Sequence, residues 1–397
     1  MSSSPSQPLA GRRIWIAGIG GAGMSAYALL ARAWGAEVAG WDRVETPYLA
    51  HLDGIDVLIS PEPKAAPPGF EVYVSTAYAG RVEGRPRAEL LAELVSLRRS
   101  IVVAGAHGKT TTSGMIAYCL DRLGLDPAFL IGGEIPQLGG NARAGSGWLV
   151  VEGDESDRSV AALRPEVAVL LNVDLDHHAT FASRAEVAAL FEEWLEHVPH
   201  VVRAEELAPA TFPVGIPGEH NRRNAGAAVA ALELAGVDRG DAERVLGEFT
   251  GAGRRLERRG EARGVTVVDS YAHHPAELAA DIAAVRRAGR VVALFQPHLY
   301  SRTLHLAHEF AIALADADAA CVTDIYPARE EQIPGASGRL IVDELARVRP
   351  GMRVGWAPRL EDAAALVADW ARAGDTVLTL GAGDVDRAAA LVLDRLA

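Results

Sequence analysis

Short β-rich runs alternate with alanine-rich stretches of helical character along the whole chain of 397 residues. Runs of this kind are typical of buried strands, and their regular alternation with helices predicts parallel sheets covered by helices. The chain is therefore expected to adopt an α/β fold. The clearest strand candidates are residues 14–17, 57–59, 72–75, 101–104, 148–151, 167–172, 265–269, 291–295, 319–323 and 376–380.

Three of these runs open new α/β units, which predicts three domains. The first unit starts at Ile14, the second at Ile101 and the third at Val265, after an arginine-rich link at 251–260. We place the domain boundaries at 1–98, 99–256 and 257–397. Residues 1–10, which are rich in serine and proline, are expected to form a disordered tail.

Lys109 is one of only two lysines among 39 basic residues, and it lies in a turn between a β-rich run and a threonine-rich segment. Lysine differs from arginine in being a compact point charge, which suits a tight phosphate site. The turn 105–110 does not match the usual phosphate-loop spacing, because Val103 stands where that pattern needs glycine. Its backbone amides and Lys109 could still hold phosphates, while Thr110 could bind Mg²⁺.

A second glycine-rich turn, Gly18-Ile-Gly-Gly-Ala-Gly23, follows the first predicted strand, and a helix is expected from about 24 to 34. Such a turn lets the backbone approach a diphosphate at the helix N-terminus. Asp42 lies 19 residues beyond Gly23, at a spacing suited to ribose hydroxyls. The motif leaves the nucleotide open, since NAD and a UDP-sugar both contain a diphosphate and a ribose.

Acids and histidines follow two further predicted strands. Glu152, in the run 150–157, is a candidate Mg²⁺ ligand, although a solvated acidic loop is the alternative. His177 and His178 are adjacent, so at most one of them is expected to face a metal. Asn221 and Asn224 share a helix face and could contact an adenine ring, although helix capping by Asn221 explains the pattern equally well.

The third unit contains no glycine-lysine turn of its own. Its polar residues instead follow two predicted strands, in the segments 269–275 and 296–303. Residues at strand ends face the ligand crevice of an α/β sheet. This unit is therefore expected to be a lid that completes a site built elsewhere.

Composition excludes several classes of function. A net charge of −13 argues against general binding of nucleic acid, which requires a basic surface. Two distant cysteines form no disulfide or zinc-binding pattern and suit a reducing cytoplasm. Because no uninterrupted apolar stretch reaches 18 residues, insertion into a membrane is not expected.

Together these segments resemble the Mur ligases, the ATP-dependent amide-forming enzymes of peptidoglycan synthesis. The motifs occur in the family's order, and within the family they look most similar to the branch that adds L-alanine to UDP-N-acetylmuramate. They are GIGGAGM at 18–24, AHGKTTT at 106–112, EGDESD at 152–157, NVDLDH at 172–177, PGEHNRRNA at 217–225, RRLE at 254–257, DSYAHHP at 269–275, FQPHLYSRT at 295–303 and GAGDV at 381–385.

The resemblance implies a Rossmann-like N-terminal domain that binds UDP, a central P-loop ATPase-like domain, and a Rossmann-like C-terminal domain that binds the amino acid. It implies a role for each matching residue. The residues implied to bind the UDP-substrate are Gly18, Gly20, Gly21, Gly23, Asp42 and Ser75, and those implied to bind ATP are Gly105, Ala106, His107, Gly108, Lys109, Thr110, Thr111, Asn224, Arg255 and Asp269. The implied metal ligands are Thr110, Glu152 and His177. Amino-acid binding is implied for Tyr271, His273 and Arg302, and catalysis for Lys109, His177, His298 and Arg302.

The implied reaction joins L-alanine to UDP-N-acetylmuramate through an acyl phosphate, using ATP and two Mg²⁺ ions. The protein is expected to be cytoplasmic, and a monomer or a weak homodimer. A ligase that attaches a preformed tripeptide to the same UDP-sugar, and a catalytically silent nucleotide-binding relative, remain alternatives. A nicotinamide-dependent oxidoreductase would account for the first glycine turn but not for Lys109.

Three departures from the family pattern stand out. Leu299 occupies a place where many relatives have arginine, and the stretch 200–217 is short, as if a peripheral part of the central domain were missing. Several related ligases hold a second Mg²⁺ with a carbamylated lysine. This chain has only Lys64 besides Lys109, and Lys64 lies in a proline-rich loop, which again fits the alanine-adding branch.

Overall fold

The computed structural model describes residues 7–175, 180–328 and 330–397, and it confirms the predicted α/β fold with three parallel-rich sheets. The chain divides into two compact units. The first comprises Met1–Gly215 with Arg223–Thr250 and contains two sheets; the second comprises Ile216–Arg222 with Gly251–Ala397 and contains the third sheet.

The first sheet is entirely parallel and has the strand order β3-β2-β1-β4-β5. Its central strand is apolar after the first residue, as expected for a strand with both faces covered. Its elements are β1 (Arg13–Ala17), α1 (Ala22–Ala33), β2 (Glu37–Asp42), β3 (Asp56–Ile59), β4 (Glu71–Val74), β5 (Arg85–Pro86) and α2 (Arg87–Ser96).

The second sheet has the order β11-β10-β6-β9-β7-β8, with β6 inside the sheet and buried along its whole length. All its pairings are parallel except the hairpin of β7 and β8. Its elements are β6 (Ser100–Ala104), α3 (Lys109–Arg122), β7 (Ala128–Ile135), β8 (Gly140–Arg143), β9 (Leu149–Glu152), β10 (Val167–Leu170), α4 (Arg184–Leu195), β11 (His200–Arg203), α5 (Glu219–Leu234) and α6 (Arg239–Leu246).

One continuous apolar core joins the first two sheets. It includes Leu30 of α1 and Leu94 of α2, together with Val102 of β6 and Val151 of β9, each of which is almost fully buried. The first two α/β layers therefore share one hydrophobic core within this unit.

The third sheet has the order β12-β13-β17-β14-β15-β16, and only β12 runs antiparallel to its neighbour. Separate apolar clusters cover its two faces. Its elements are β12 (Glu257–Ala262), β13 (Val265–Ser270), α7 (Pro275–Arg286), β14 (Val291–Phe295), α8 (Tyr300–Leu314), β15 (Ala319–Val322), α9 (Arg339–Val348), β16 (Arg353–Trp356), α10 (Leu360–Trp370), β17 (Thr376–Leu380) and α11 (Asp386–Leu396).

The expected disordered tail is wrong for its last residues, 7–10. Leu9 is 1% exposed, and its amide donates a hydrogen bond to the carbonyl of Trp34 over 2.9 Å. The sequence interpretation followed the serine- and proline-rich composition and overlooked an apolar side chain that could join the core. Residues 1–6 lie outside the described part of the chain.

The connection between β11 and α5 is short, as the sequence indicated. A single 3-10 turn at Ala204–Glu206 follows β11, and no strand forms between residues 204 and 218, all of which the structure describes. Among the described helices, none combines the length and apolar character required to cross a bilayer. The predicted domain boundaries at 98/99 and 256/257 remain predictions.

Candidate functional site

The predicted phosphate-binding turn lies between buried β6 and the N-terminus of α3. Gly105 and Gly108 have φ values of +127° and +87°, which side-chain-bearing residues rarely adopt. A Cβ atom at Gly105 would lie 2.8 Å from the carbonyl oxygen of Asn172. Because the first turn of a helix leaves amides without intrahelical partners, this strand–turn–helix can receive phosphate oxygens.

Asn172, which follows β10, braces the turn. Its Oδ1 accepts a hydrogen bond from the His107 amide over 2.9 Å, and its Nδ2 donates to the His107 carbonyl over 2.9 Å. Its carbonyl accepts from the Ala106 amide over 3.3 Å. Sequence reasoning gave Asn172 no role. The available signal was its position at the end of a strand, at the start of an acid- and histidine-rich run.

Lys109, the first residue of α3, is held by acceptors from its own unit. Its ammonium donates to the Gly105 carbonyl over 2.6 Å and to both carboxylate oxygens of Glu155 over 3.0 Å. Burial alone would lower the pKa of Lys109, but the charge and hydrogen bonds of Glu155, together with the charges of Asp154 and Glu152, outweigh that effect and raise it. The lysine is therefore a charged group inside the turn.

Oxygen ligands suited to Mg²⁺ lie beside this lysine. The Thr110 hydroxyl donates to Glu152 Oε2 over 3.2 Å, and the Gly132 amide donates to Glu152 Oε1 over 2.6 Å. A hydroxyl and a carboxylate in contact form the kind of oxygen pair that Mg²⁺ binds next to phosphates. These two residues therefore fit the predicted metal site, whereas the third predicted ligand, His177, lies outside the described residues.

Asn224 in α5 is close to the same turn. A Cβ atom at Gly108 would lie 2.7 Å from Asn224 Oδ1, and both Asn224 and Thr111 are buried. The proposed contact of Asn224 with adenine is untested, but its position beside the turn is compatible with it. Asn221 does not cap the helix, since α5 begins at Glu219 and the side-chain Nδ2 of Asn221 donates to the Pro217 carbonyl.

The first glycine-rich turn connects β1 to α1 and presents an open helix N-terminus. Gly21 is the N-cap of α1, and both Gly21 and Gly23 are exposed. Gly18 has a φ value of +87°, and a Cβ atom there would lie 2.4 Å from the Ser75 hydroxyl. Ser75 thus packs against the turn, and the exposed glycines leave room for a diphosphate.

Asp42 braces this turn from within the protein. Its Oδ2 accepts from the Gly20 amide over 2.8 Å, while its Oδ1 accepts from the Arg43 amide over 2.7 Å and the Tyr78 hydroxyl over 3.0 Å. Asp42 is buried, so its carboxylate is largely committed to the loop. Contact with a ribose remains a prediction, and the structure adds a positioning role that sequence spacing did not reveal.

A cavity of about 310 Å³ runs between the two glycine-rich turns, inside the first unit. Gly23 and Tyr27 of α1 line one part, and Lys109 and Glu152 line another. Arg87, the first residue of α2, also lines it. A ligand bound at the first turn can therefore extend to the lysine and the acid at the second without leaving one continuous space.

Arg87 ties this cavity wall together and was missed by sequence reasoning. It donates to Asp154 over 3.0 Å and to Asp157 over 2.7 Å, in the loop after β9. Burial opposes ionisation of Asp154, but hydrogen bonds from Ser156 and the charge of Arg87 hold the pKa of Asp154 below its usual value. Nothing in the sequence paired an arginine at 87 with acids 67 and 70 residues away.

The second unit brings together most of its predicted site residues. The ring of His273 lies 5.3 Å from that of Tyr271 and 5.8 Å from that of His298, measured between centroids. Arg302, in the first turn of α8, is 4% exposed and lies 3.4 Å from His298 Nδ1. Arg255 stacks over the Tyr271 ring at 5.3 Å.

Asp269 is buried in the third sheet, and its contact with ATP stays a prediction. Its side chain has no exposed surface, and it accepts hydrogen bonds from Arg254 over 2.9 Å and from Thr379 over 2.5 Å. Burial raises the pKa of Asp269, although Arg254 partly offsets the effect. Arg254 also donates to the carbonyls of Gly381 and Gly383. The geometry gives Asp269 a structural role in the third sheet.

Leu299, at a position where the family resemblance implied arginine, is the N-cap residue of α8. It directly precedes α8 and has a φ value of +71°, a strained conformation for a residue with a side chain. Its amide donates to the Tyr326 carbonyl over 3.0 Å. The backbone therefore holds the turn that positions Arg302, whatever the side chain at 299 contributes.

The fold and these sites define a class of α/β protein with two glycine-rich strand–turn–helix sites, the second of which carries a lysine and a hydroxyl–carboxylate pair suited to Mg²⁺. The chain belongs to the Mur ligase family. Its three family models match in order: "Mur ligase family, catalytic domain" over 13–99, "Mur ligase middle domain" over 103–205, and "Mur ligase, glutamate ligase domain" over 254–383.

Named relatives span the full chain. It is 40% identical to the UDP-N-acetylmuramate–L-alanine ligase of Streptomyces coelicolor, covering 99% of both chains. It is 37% identical to the enzyme of the same name from Rubrobacter xylanophilus, covering 97% of this chain and 100% of that one. The crystal structure of UDP-N-acetylmuramate–alanine ligase from Thermotoga maritima has a TM-score of 0.77 at 25% identity, covering 96% of this chain and 98% of that one.

The relatives are longer than this chain. The alignment with the Streptomyces coelicolor enzyme runs over 461 positions, against 397 residues here, so at least 64 positions have no counterpart in this chain. The short connection between β11 and α5 is one place where such residues fit. The phosphate turn, Glu152 and the bracing Asn172 all lie outside that connection.

Proposed function

We propose that the chain is an ATP-dependent ligase that joins L-alanine to UDP-N-acetylmuramate. The observation that carries the proposal is the cavity joining the diphosphate turn to Lys109 and Glu152. It would let one substrate keep its UDP at α1 while its carboxylate reaches the phosphate of ATP. The names of the full-length relatives support the same substrates.

In the first step, a carboxylate oxygen of UDP-N-acetylmuramate attacks the γ-phosphorus of ATP. A new bond forms between that carboxylate oxygen and the γ-phosphorus. The bond between the γ-phosphorus and the oxygen that bridges it to the β-phosphate breaks, and ADP leaves. The two reactants are both anions, so the step requires positive charge at the point where they meet. Lys109 and the amides of the first turn of α3 supply it from the chain's own residues.

The donor set at Thr110 and Glu152 would hold Mg²⁺, which offsets phosphate charge when bound. Glu152 is already oriented by the Gly132 amide, so the carboxylate needs little rearrangement to act as a ligand. We also propose that a second Mg²⁺ ion binds, with His177 among its ligands.

In the second step, the neutral amino group of alanine attacks the acyl carbon, and phosphate leaves with its bridging oxygen. We assign amino-acid binding to the cluster of Tyr271, His273 and Arg302 in the second unit, with His298 as a proton acceptor. Arg302 suits a carboxylate because its guanidinium is a planar donor. The contact between Arg302 and His298 supports a shared role for the two residues.

The remaining assignments are also proposals. Three functional domains at 1–98, 99–256 and 257–397 agree with the order of the family models. A cytoplasmic location is supported by two buried free thiols, Cys119 and Cys321, and by the need for ATP. Because the site residues come from one chain, a monomer or a weak homodimer is sufficient.

The proposal is tested by measuring phosphate release with each substrate omitted in turn, and then with alanine, glycine, serine or a preformed tripeptide as acceptor. We expect release to require both UDP-N-acetylmuramate and an amino acid, with alanine the best. Turnover only with the tripeptide would favour the alternative ligase. Binding of both nucleotides without product would indicate a silent relative. Lys109→Ala should abolish turnover and leave binding of the UDP-substrate intact.

A further inference from the structure

The ammonium of Lys109 has three protons to donate, and besides the Ala106 carbonyl at 3.5 Å it has three acceptors within 3.0 Å. One is the Gly105 carbonyl at 2.6 Å, and the other two are the carboxylate oxygens of Glu155, each at 3.0 Å. The side chain of Glu155 is 3% exposed and that of Lys109 is 19% exposed, so the pair is partly shielded from water. Shielding strengthens the attraction between the charges relative to a surface pair.

A phosphate oxygen that binds Lys109 must therefore replace an acceptor that is already in place. The Gly105 carbonyl, like that of Ala106, is part of the backbone of the turn, which Asn172 braces. The carboxylate of Glu155 sits on a side chain in the loop after β9, so it can be displaced without a change in the backbone of the turn. Of these acceptors, Glu155 is the one that a triphosphate can displace.

We propose that Glu155 is a positioning residue that holds Lys109 inside the nucleotide-free turn and competes with the triphosphate for its ammonium. The inference rests on the proposed function, because it assumes that a nucleotide binds at this turn. Glu155 keeps the ammonium directed along the turn before ATP arrives. It then yields the ammonium when phosphate oxygens offer a stronger set of acceptors.

Glu152 provides a contrast three residues earlier. Its carboxylate faces the Thr110 hydroxyl and the Gly132 amide, so it is placed to bind a cation beside the phosphates. Neutralising Glu152 removes a metal ligand and should weaken binding of a Mg²⁺-nucleotide. Neutralising Glu155 removes a competitor and should strengthen it. Both substitutions neutralise a glutamate, but they are expected to change the affinity for the Mg²⁺-nucleotide in opposite directions.

The first experiment is a calorimetric titration with the magnesium complex of a non-hydrolysable ATP analogue. We expect Glu155→Gln to bind it about five- to tenfold more tightly than the wild type, because the amide keeps the shape and loses the competing charge. Glu152→Gln should bind it more weakly. In a Lys109→Met background, Glu155→Gln should change affinity less than twofold, as a double-mutant cycle requires for direct coupling.

The second experiment uses the fact that the chain contains only two lysines, Lys64 and Lys109. With ¹⁵N in the lysine side chains, the ammonium spectrum contains two resonances, and Lys64→Arg assigns them. We expect the Lys109 resonance to move when the analogue is added to the wild type. Glu155→Asp, which shortens the acid by one carbon, should move it as well, and this readout does not depend on the glutamine variant folding.

These outcomes distinguish a failure of the Glu155 proposal from a failure of the ligase proposal. Equal or weaker analogue binding by Glu155→Gln, or a Lys109 resonance that ignores Glu155→Asp, overturns the role of Glu155 while the ligase proposal stands. Failure of the wild type to bind the analogue at all would overturn both. Tighter binding that persists in the Lys109→Met background would show a general charge effect and would also overturn the proposed competition.

Discussion

Replacing Asn172 by alanine tests whether the phosphate turn is held from β10. The substitution removes two hydrogen bonds to the backbone of His107, each 2.9 Å long. A hydrogen bond of this kind contributes about 1 kcal/mol, so the substitution should destabilise the ordered turn by about 2 kcal/mol. Because the turn must be ordered to bind phosphates, affinity for the ATP analogue should fall about 30-fold.

The assay is the same titration, paired with a measurement of UDP-substrate binding. Asn141→Ala is a suitable control, since Asn141 also donates a hydrogen bond to a backbone carbonyl, that of Ile131, but on the β8 strand. We expect the control to bind the analogue within twofold of the wild type. If Asn172→Ala retains full affinity, the turn is rigid without its brace and the reasoning from these two bonds is wrong.

Two further predictions concern other parts of the chain. Gly18→Ala places a Cβ atom 2.4 Å from the Ser75 hydroxyl, at a φ of +87°. The affinity for the UDP-substrate should therefore fall at least about tenfold, while the affinity for the ATP analogue is unchanged. Equal losses of both affinities would point to misfolding. Burial raises the pKa of Asp281 to about 7, so the native state holds a proton that the unfolded chain releases near pH 4. The free energy of unfolding should therefore fall by up to roughly 4 kcal/mol between pH 4 and pH 7. Urea unfolding of Asp281→Asn should show a flatter pH dependence, and an unchanged slope would contradict this.

Much of the fold could be predicted because buried parallel strands have a strong sequence signature. All ten of the apolar runs correspond to strands, and both glycine-rich turns connect a strand to a helix as expected. The missed strands are weaker signals for physical reasons. Strand β7 contains Gly132 and Gly133, and β12 lies at a sheet edge and consists mostly of charged residues.

The site was predictable in its local parts and not in its long-range contacts. Lys109, Thr110 and Glu152 lie in motifs whose spacing fixes their neighbours. The bonds from Asn172 to His107 and from Arg87 to the loop after β9 join segments 65 or more residues apart. A single sequence contains no record of such pairings, because they depend on how β6, β9 and β10 are ordered in the sheet.

Burial adds a structural role for two acids whose contacts with ligands stay predictions. The spacing of Asp42 suited a ribose, and the resemblance suggested that Asp269 contacts ATP. The structure places Asp42 in bonds to the glycine turn and buries Asp269 against Arg254. Spacing locates a carboxylate at the end of a strand, but it does not tell whether the side chain turns toward a ligand or back into the protein.

The central claim is that a carboxylate of the UDP-substrate attacks the γ-phosphate held at Lys109. It is tested most directly with UDP-N-acetylmuramate labelled with ¹⁸O in its carboxylate, by mass analysis of the phosphate released in a single turnover with alanine. The account predicts that one ¹⁸O atom moves into each phosphate, because the bridging oxygen of the acyl phosphate leaves with phosphorus. Unlabelled phosphate, formed together with the amide product, would contradict it.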